Sequence, residues 1–363
     1  YTYSDLLHAI DNWQKISPPG VFSTSIMCQT LCGRDVPTIT ITSPNSATPL
    51  AGKSCIFLSG RIHPGESNAS YVLHGLIDFL LSDNPISHYI LDHCIVRIVP
   101  MLNVDGVVEG SYRVSLMGHD LNRMWTNPNP VLHPVLTSSK AWIAQTAMER
   151  PIVVYIDFHG HSSLHGSFLF GCPNSNDPGL HDTEKTLPRI FSLLCPSFSW
   201  EHCVFTFPKD RTDAARIVFR RQMGVVQSFT LETSFGGIKS GPFAGYLFDE
   251  ILWKDLGAKC AQAVYHLMTP AASPLYCYVN HELTFSTRRL ERHLNRSKLP
   301  NVNLADTGND KEVETTPILE RGDTGKLRLV EPSQRFVFDP DAITSVQPES
   351  INPRWTNLTF TTS

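Results

Sequence analysis

Several features are missing from this 363-residue sequence, and each absence removes a class of function. There is no apolar run long enough to span a bilayer, so no membrane-spanning helix is expected. The opening residues lack the charged-then-apolar pattern of a secretory leader. The first residue is Tyr rather than Met, so that second absence says little about compartment, and the chain is expected to be a piece of a longer protein. There is no basic excess: 30 Lys and Arg stand against 34 Asp and Glu, for a formal net charge of -4. Nucleic acid is therefore not an expected partner, and any basic patch is local. A disulfide framework is missing too, because the nine cysteines are odd in number and irregularly placed. Cys55, Cys94 and Cys172 sit in apolar surroundings that suit buried, reduced thiols. Cys28 and Cys32 are spaced like half a metal site, but no second pair matches them. A reducing compartment, the cytosol, is the expectation.

What is present reads as an ordinary globular chain, 41% hydrophobic and 18% charged, with length for one large domain or two smaller ones. Apolar residues at helical spacing predict a helix over Tyr1–Lys15 and another over Ser67–Leu81, the latter with Val72, Leu73, Leu76, Ile77 and Leu80 on one face and Asp83-Asn84-Pro85 as its stop. Helices are also expected over Ala141–Met148, Thr183–Leu194 and Gly245–Met268. Strands are expected at Val36–Thr42, Cys55–Ser59, Cys94–Pro100, Ile152–Phe158, Ser167–Gly171, Ala215–Phe219 and Val225–Leu231. The continuous apolar run at Ile152–Phe158 marks a strand covered on both faces. The alternation implies an α/β fold with a mixed, mostly parallel central sheet flanked by helices. Residues 1–270 are read as one catalytic domain and 271–296 as an extension, helical over Glu282–Asn295. Residues 297–363, rich in Asn, Asp, Thr and Pro, are read as a low-order tail.

Chemistry gathers at the carboxyl ends of strands in such sheets. His63 and Glu66 sit on the turn Arg61-Ile62-His63-Pro64-Gly65-Glu66 between a predicted strand and helix, where Pro64 and Gly65 fold the backbone so that both side chains can meet one ion. A His-x-x-Glu alone is common by chance. His159, after a hydrophobic strand, supplies the third ligand of a set of two imidazoles and a carboxylate that suits catalytic zinc with one position open for water. His161 is an alternative ligand, expected to face away, and Asp157 can orient the His159 ring. Glu232 ends the run Ser228-Phe229-Thr230-Leu231, where an idle buried carboxylate is costly. Beside a zinc-bound water it can serve as general base and then hand the proton to a leaving amine. Asn122 and Arg123 suit a carboxylate clamp, and Arg113 suits an oxyanion, although a lone arginine is more often a solvated surface charge.

Taken together, the motifs resemble the zinc carboxypeptidases, and within them the cytosolic carboxypeptidase, or deglutamylase, branch. The resemblance rests on HPGE at His63–Glu66, NVDGV at Asn103–Val107, SYRVSLMGHDLNRMW at Ser111–Trp125, DFHGHS at Asp157–Ser162 and FTLETSFGG at Phe229–Gly237, in the family's order. It implies the zinc carboxypeptidase fold and one zinc ion held by His63, Glu66 and His159. It implies Glu232 as base, Arg113 as the carbonyl-polarising arginine, and Asn122 and Arg123 as holders of the terminal carboxylate. Arg216 matches the basic residue of the side-chain pocket. The implied activity is removal of C-terminal glutamate from proteins or polyglutamate side chains, with tubulin as the substrate class and a cytoplasmic, cytoskeleton-associated location. The β-sandwich domain that the branch carries before its catalytic region is not among these 363 residues, as expected of a fragment. Ser163-Leu164-His165-Gly166 stands where relatives carry basic residues, and Asp213-Ala214-Ala215-Arg216 stands where Gly-Thr-Gly-Arg is usual. The family's catalytic tyrosine matches no motif. Rival readings are a zinc deacylase of small N-acyl amino acids and a non-catalytic binder of acidic tails. A monomer is the default expectation.

Overall fold

Near-continuous apolar runs suit strands buried on both faces, and the sheet is built around two of them. The computed structural model describes residues 1–174, 179–208, 211–239 and 241–297, with the short segments 318–321, 327–330 and 335–337. The chain separates into two compact units, Tyr1–Asn280 and His281–Ser363.

In the first unit, α1 (Tyr3–Ile16) leads to the hairpin of β1 (Phe22–Gln29) and β2 (Asp35–Ile41), followed by β3 (Ser54–Gly60), α2 (Ser67–Leu81), α3 (Pro85–His93) and β4 (Cys94–Val99). Then come α4 (Val104–Val108), α5 (Pro134–Glu149), β5 (Ile152–His161), β6 (Ser167–Gly171), α6 (Thr186–Leu194) and β7 (Val204–Phe205). The unit continues with α7 (Ala215–Met223), β8 (Ser228–Ser234), α8 (Glu250–Met268) and the start of α9 (Pro274–Ser297). The sheet order is β1-β2-β4-β3-β5-β8-β6-β7. Its centre, β4-β3-β5-β8, is parallel, and antiparallel pairs flank it. From β3 the chain crosses to β4 on one side, then returns to place β5 on the other. That reversal opens a crevice at the carboxyl ends of β3 and β5, the place where doubly wound sheets put their sites.

Two helices, α2 and α8, meet backbone to backbone. A Cβ on Gly257 would stand 1.9 Å from Val72 O, and one on Gly75 would stand 2.1 Å from Lys254 O. Only glycine allows that approach. It seats α2, with Val72, Leu73, Leu76, Ile77 and Leu80 buried, beneath the site.

The expected strand at Ala215–Phe219 is corrected to the helix α7. Ile217, Val218 and Phe219 are buried side by side as in a strand, but Gly224 closes the segment in the left-handed region at φ 69°, with its N–H on Phe219 O, and Arg220 and Arg221 occupy the last turn. These are helix-stop signals that outweigh the β-branched residues. The following strand begins at Ser228 and runs on to Ser234, so Glu232 lies within it. The last long helix starts at Glu250, where the Asp249 side chain accepts the Leu252 N–H. The helix expected over Glu282–Asn295 begins earlier, at Pro274. The nine cysteines are all free, with Cys55, Cys94, Cys172, Cys195 and Cys260 buried.

In the second unit, within the stretch read as a low-order tail, the described residues form an antiparallel sheet of β9 (Ile318–Arg321), β10 (Leu327–Val330) and β11 (Arg335–Val337), in the order β11-β10-β9. The rest of 298–363 lies outside the described residues.

Candidate metal centre and substrate site

The turn after β3 is fixed from all sides. Arg61 takes a left-handed backbone conformation at φ 58°, a strained choice for a residue with a side chain. Its buried guanidinium spans the turn, donating from Nε to Pro64 O at 2.8 Å and from Nη1 to Ser70 Oγ at 2.9 Å. Gly65 donates its N–H to Tyr112 O at 2.7 Å, and a Cβ there would stand 2.4 Å from the Tyr112 ring. Gly106 presses on Pro64 in the same way, at 2.4 Å from its Cγ. The NVDGV and SYR motifs therefore hold the HPGE turn by contact.

This turn brings His63 and Glu66 against His159 on β5. The Glu66 carboxylate lies 2.8 Å from His63 Nδ1 and 3.0 Å from His159 Nδ1, and also accepts the Gly160 N–H at 2.9 Å. The two Nδ1 atoms are 3.2 Å apart. On the far side of each ring a second carboxylate waits: Asp120 Oδ1 is 3.1 Å from His63 Nε2, and Asp157 Oδ2 is 2.7 Å from His159 Nε2. An ionised carboxylate only accepts, so each Nε2 turns a hydrogen toward its aspartate, and each Nδ1 is left facing Glu66 as the nitrogen placed to meet an ion. Among the described residues, these three form the one group of His, Cys, Asp or Glu whose ligand atoms lie within 4.8 Å of one another.

Electrostatics match that geometry. Burial would raise the Glu66 carboxyl, but the charges and hydrogen bonds of His159 and His63 outweigh it and hold the carboxyl well below the usual range. Burial would lower His159, but Asp157 and Glu66 hold it well above its ordinary value. Without a cation the cluster keeps a proton on His159, and a divalent ion takes that proton's place.

Glu232 is the register partner of His159 on the adjacent strand β8. Burial pushes its carboxyl up to about 7, against the positive charges of His159, His63 and Arg216. The exposed Arg113 lays Nε and Nη2 on Asp120 Oδ2, at 3.1 and 2.8 Å. Asp120 thus ties Arg113 to His63. The same aspartate accepts the Asn122 N–H at 2.9 Å, which sets the start of the Leu121–Arg123 turn. Asn122 is buried, and its Oδ1 accepts the Ala215 N–H at 3.1 Å, so the amide NH₂ is what it can offer a ligand. Half-buried Arg123 bonds back to Asn122 O at 3.0 Å. Arg216, in the first turn of α7, is 7% exposed. Its guanidinium stands 5.6 Å over the Phe170 ring and reaches Thr230 Oγ1 at 3.4 Å, and its Nε is buried without a partner. Thr230 and Glu232 share one face of β8.

His161 does not join the metal-capable group. Its Nδ1 accepts the N–H groups of Ser163 and Leu164 at 3.2 and 3.0 Å, and its ring packs on Phe168. Strand alternation is not the reason, because residues two apart share a face. The strand ends at His161, and the following turn captures the ring. Asp120 carries no assignment from sequence; its place beside Asn122 and Arg123 was the available signal.

The sequence model for zinc carboxypeptidases matches residues 10–197. The chain belongs to the zinc carboxypeptidase family. This family uses one catalytic zinc, and two imidazole nitrogens with a carboxylate suit that ion while leaving a coordination position open. The chain is 36% identical to human cytosolic carboxypeptidase 1 over 280 residues, which is 71% of this chain and 23% of that protein. It is 36% identical to mouse cytosolic carboxypeptidase 4 over 279 residues, covering 71% and 25% of the two chains. It therefore spans about a quarter of the length of these relatives. The crystal structure of a metallo-carboxypeptidase from Burkholderia cenocepacia shares the fold, with a TM-score of 0.64 at 23% identity over 75% of this chain and 70% of that one. No helix among the described residues is long and apolar enough to cross a membrane.

Proposed function

We propose that this zinc carboxypeptidase chain removes C-terminal glutamate from proteins or polyglutamate side chains in the cytoplasm, with glutamate-rich tails such as those of tubulin as the substrate class. One observation carries the reading: nitrogens of His63 and His159 and the Glu66 carboxylate lie within 4.8 Å of one another, while the Glu232 carboxyl, raised to about 7, lies one strand away.

His63, Glu66 and His159 would hold the zinc ion, which would supply Lewis acidity to a water and to the scissile carbonyl. Glu232 takes the proton of that water and passes it to the departing amine; a carboxyl near neutrality suits both acts. Arg113, aimed by Asp120, offers its fork to the developing oxyanion. Asn122 and Arg123 hold the substrate's free carboxylate, which restricts cleavage to the chain end. Arg216 places a buried positive charge where an acidic side chain would sit. The names of the relatives support the cytoplasm as the location.

The test is to incubate the zinc-loaded protein with peptides ending in Glu, Asp, Lys or Leu, together with small N-acyl amino acids, and to identify the freed amino acid by mass spectrometry. Glutamate released fastest, and only with zinc, is the expected result. Faster release of Lys or Leu would overturn the glutamate preference, and turnover of the N-acyl amino acids alone would replace peptidase with deacylase.

A further inference from the structure

Beneath the metal-capable group lies a chain of hydrogen bonds that the proposed reaction does not use. Ser59 on β3 faces Asp157 on β5 in parallel register, and Tyr155 shares the face of Asp157 two residues earlier. Ser59 Oγ is 2.7 Å from Asp157 Oδ1 and 2.6 Å from Tyr155 Oη. All three residues are buried, Tyr155 and Asp157 completely.

Burial makes the direction of each bond deducible. Asp157 accepts from the His159 ring at Oδ2, and as a carboxylate it accepts at Oδ1 as well. The single Ser59 hydrogen therefore goes to Asp157. The remaining contact has only one possible donor, the Tyr155 hydroxyl. Burial and the Asp157 charge push that phenol well above its ordinary value, which keeps its proton in place. The ordered chain is Tyr155 O–H to Ser59, Ser59 O–H to Asp157 Oδ1, and His159 Nε2–H to Asp157 Oδ2. Its far end is His159 Nδ1, which faces Glu66 at 3.0 Å.

A carboxylate held at one oxygen can turn about its side-chain bond. Held at both, it fixes the plane of the imidazole it orients. We propose that Ser59 and Tyr155 are positioning residues for the metal centre, locking Asp157 so that His159 presents Nδ1 to the ion as a single tautomer. This inference rests on the zinc reading above. Ser59 is buried, so bulk solvent does not reach its hydroxyl, and each bond of such a chain polarises the next. Partners behind a metal ligand commonly change affinity by about 10- to 100-fold when removed.

The experiment measures Zn²⁺ affinity by competition with a chromophoric chelator for the wild type and for Ser59→Ala, Tyr155→Phe and His63→Ala. Long-range ¹H–¹⁵N spectra of the Zn²⁺-loaded proteins report which His159 nitrogen keeps its hydrogen, and thermal melts report the fold. Ser59→Ala should stay folded, bind Zn²⁺ about tenfold more weakly, and show mixed tautomers at His159. Tyr155→Phe, one bond further away, should lose severalfold. Wild-type affinity together with an unchanged His159 tautomer in both variants would overturn the proposal. Should Ser59→Ala fail to fold, Tyr155→Phe decides alone: a weaker ion supports the chain, and an unchanged one refutes it. Loss of Zn²⁺ affinity in His63→Ala separates this question from the parent reading. If wild type and His63→Ala bind Zn²⁺ equally weakly, the metal centre itself is wrong and this inference goes with it.

Discussion

Replacing Arg216 with Met removes a charge while keeping most of the stem's volume, and the structure predicts opposite effects on stability and on selectivity. The guanidinium is 7% exposed, its Nε has no partner, and the bond to Thr230 Oγ1 at 3.4 Å lies at the long end of the range. Burial lowers its pKa, the sign of a cation whose lost hydration is not fully replaced. The charges of Cys172 and Glu232 offset only part of that loss. Taking the cation away should leave the melting temperature unchanged or raise it, by up to about 1 kcal/mol of stability. An acidic substrate side chain would be its counter-ion. Losing one partner of a buried, hydrogen-bonded pair costs about 2–5 kcal/mol, and the lower end suits a pocket open to solvent on the substrate side. At about 2 kcal/mol, kcat/KM for a Glu-ended peptide should fall about 30-fold, while that for a Leu-ended peptide should stay within about threefold. The assay compares initial rates of amino-acid release for the two peptides, with a Gln-ended peptide as the neutral isostere. Equal losses on the Glu- and Leu-ended peptides would refute the pocket role, as would a destabilised variant that kept its preference for glutamate.

Glu232→Gln should retain Zn²⁺ in metal analysis and lose about 10²- to 10⁴-fold in kcat, the usual contribution of a general base; normal turnover would remove that assignment. Because the base must be ionised and a bound cation can only lower its pKa, kcat/KM should rise with pH along a limb centred at or below about 7, and a limb above that value would contradict the role. Zn²⁺ uptake should release the proton that Asp157 and Glu66 hold on His159, so apparent affinity should weaken as pH falls; calorimetry in buffers of different ionisation enthalpy reads the released protons, and zero release would disprove the arrangement. Gly257→Ala should cost about 3 kcal/mol or more by denaturant titration, since its Cβ would stand 1.9 Å from Val72 O on α2; a neutral effect would show that the two helices can part.

The extent to which sequence foretold structure differs from element to element. Local pattern was enough for α2, whose predicted bounds of Ser67 and Leu81 match the structure. It was also enough to place the buried strand carrying His159, because an apolar run has few other uses. Local pattern misled at Ala215–Phe219, where Ile217, Val218 and Phe219 favour a strand over so short a window. The Gly224 cap nine residues after Ala215 decides for a helix. The hairpin partner β1 was not anticipated, because its exposed polar residues carry no hydrophobic signature.

The sequence by itself named the candidates: His63, Glu66 and His159 as a set able to hold zinc, Glu232 as the proposed base, and arginines proposed to meet carboxylates. Each of these follows from residue type and from a position beside an apolar run. The tertiary structure alone decided which nitrogens face the ion, because that depends on Asp120 and Asp157 lying behind the rings. It alone showed that Arg113 reaches His63 through Asp120, and that Arg216 is buried with donors to spare. The His63–Asp120 contact joins residues 57 positions apart and the His63–His159 contact residues 96 apart, whereas Asp157 stands two positions from His159. They come together only where the sheet reverses its direction of winding, since hydrogen bonds act over about 3 Å and the sequence carries no measure of that distance.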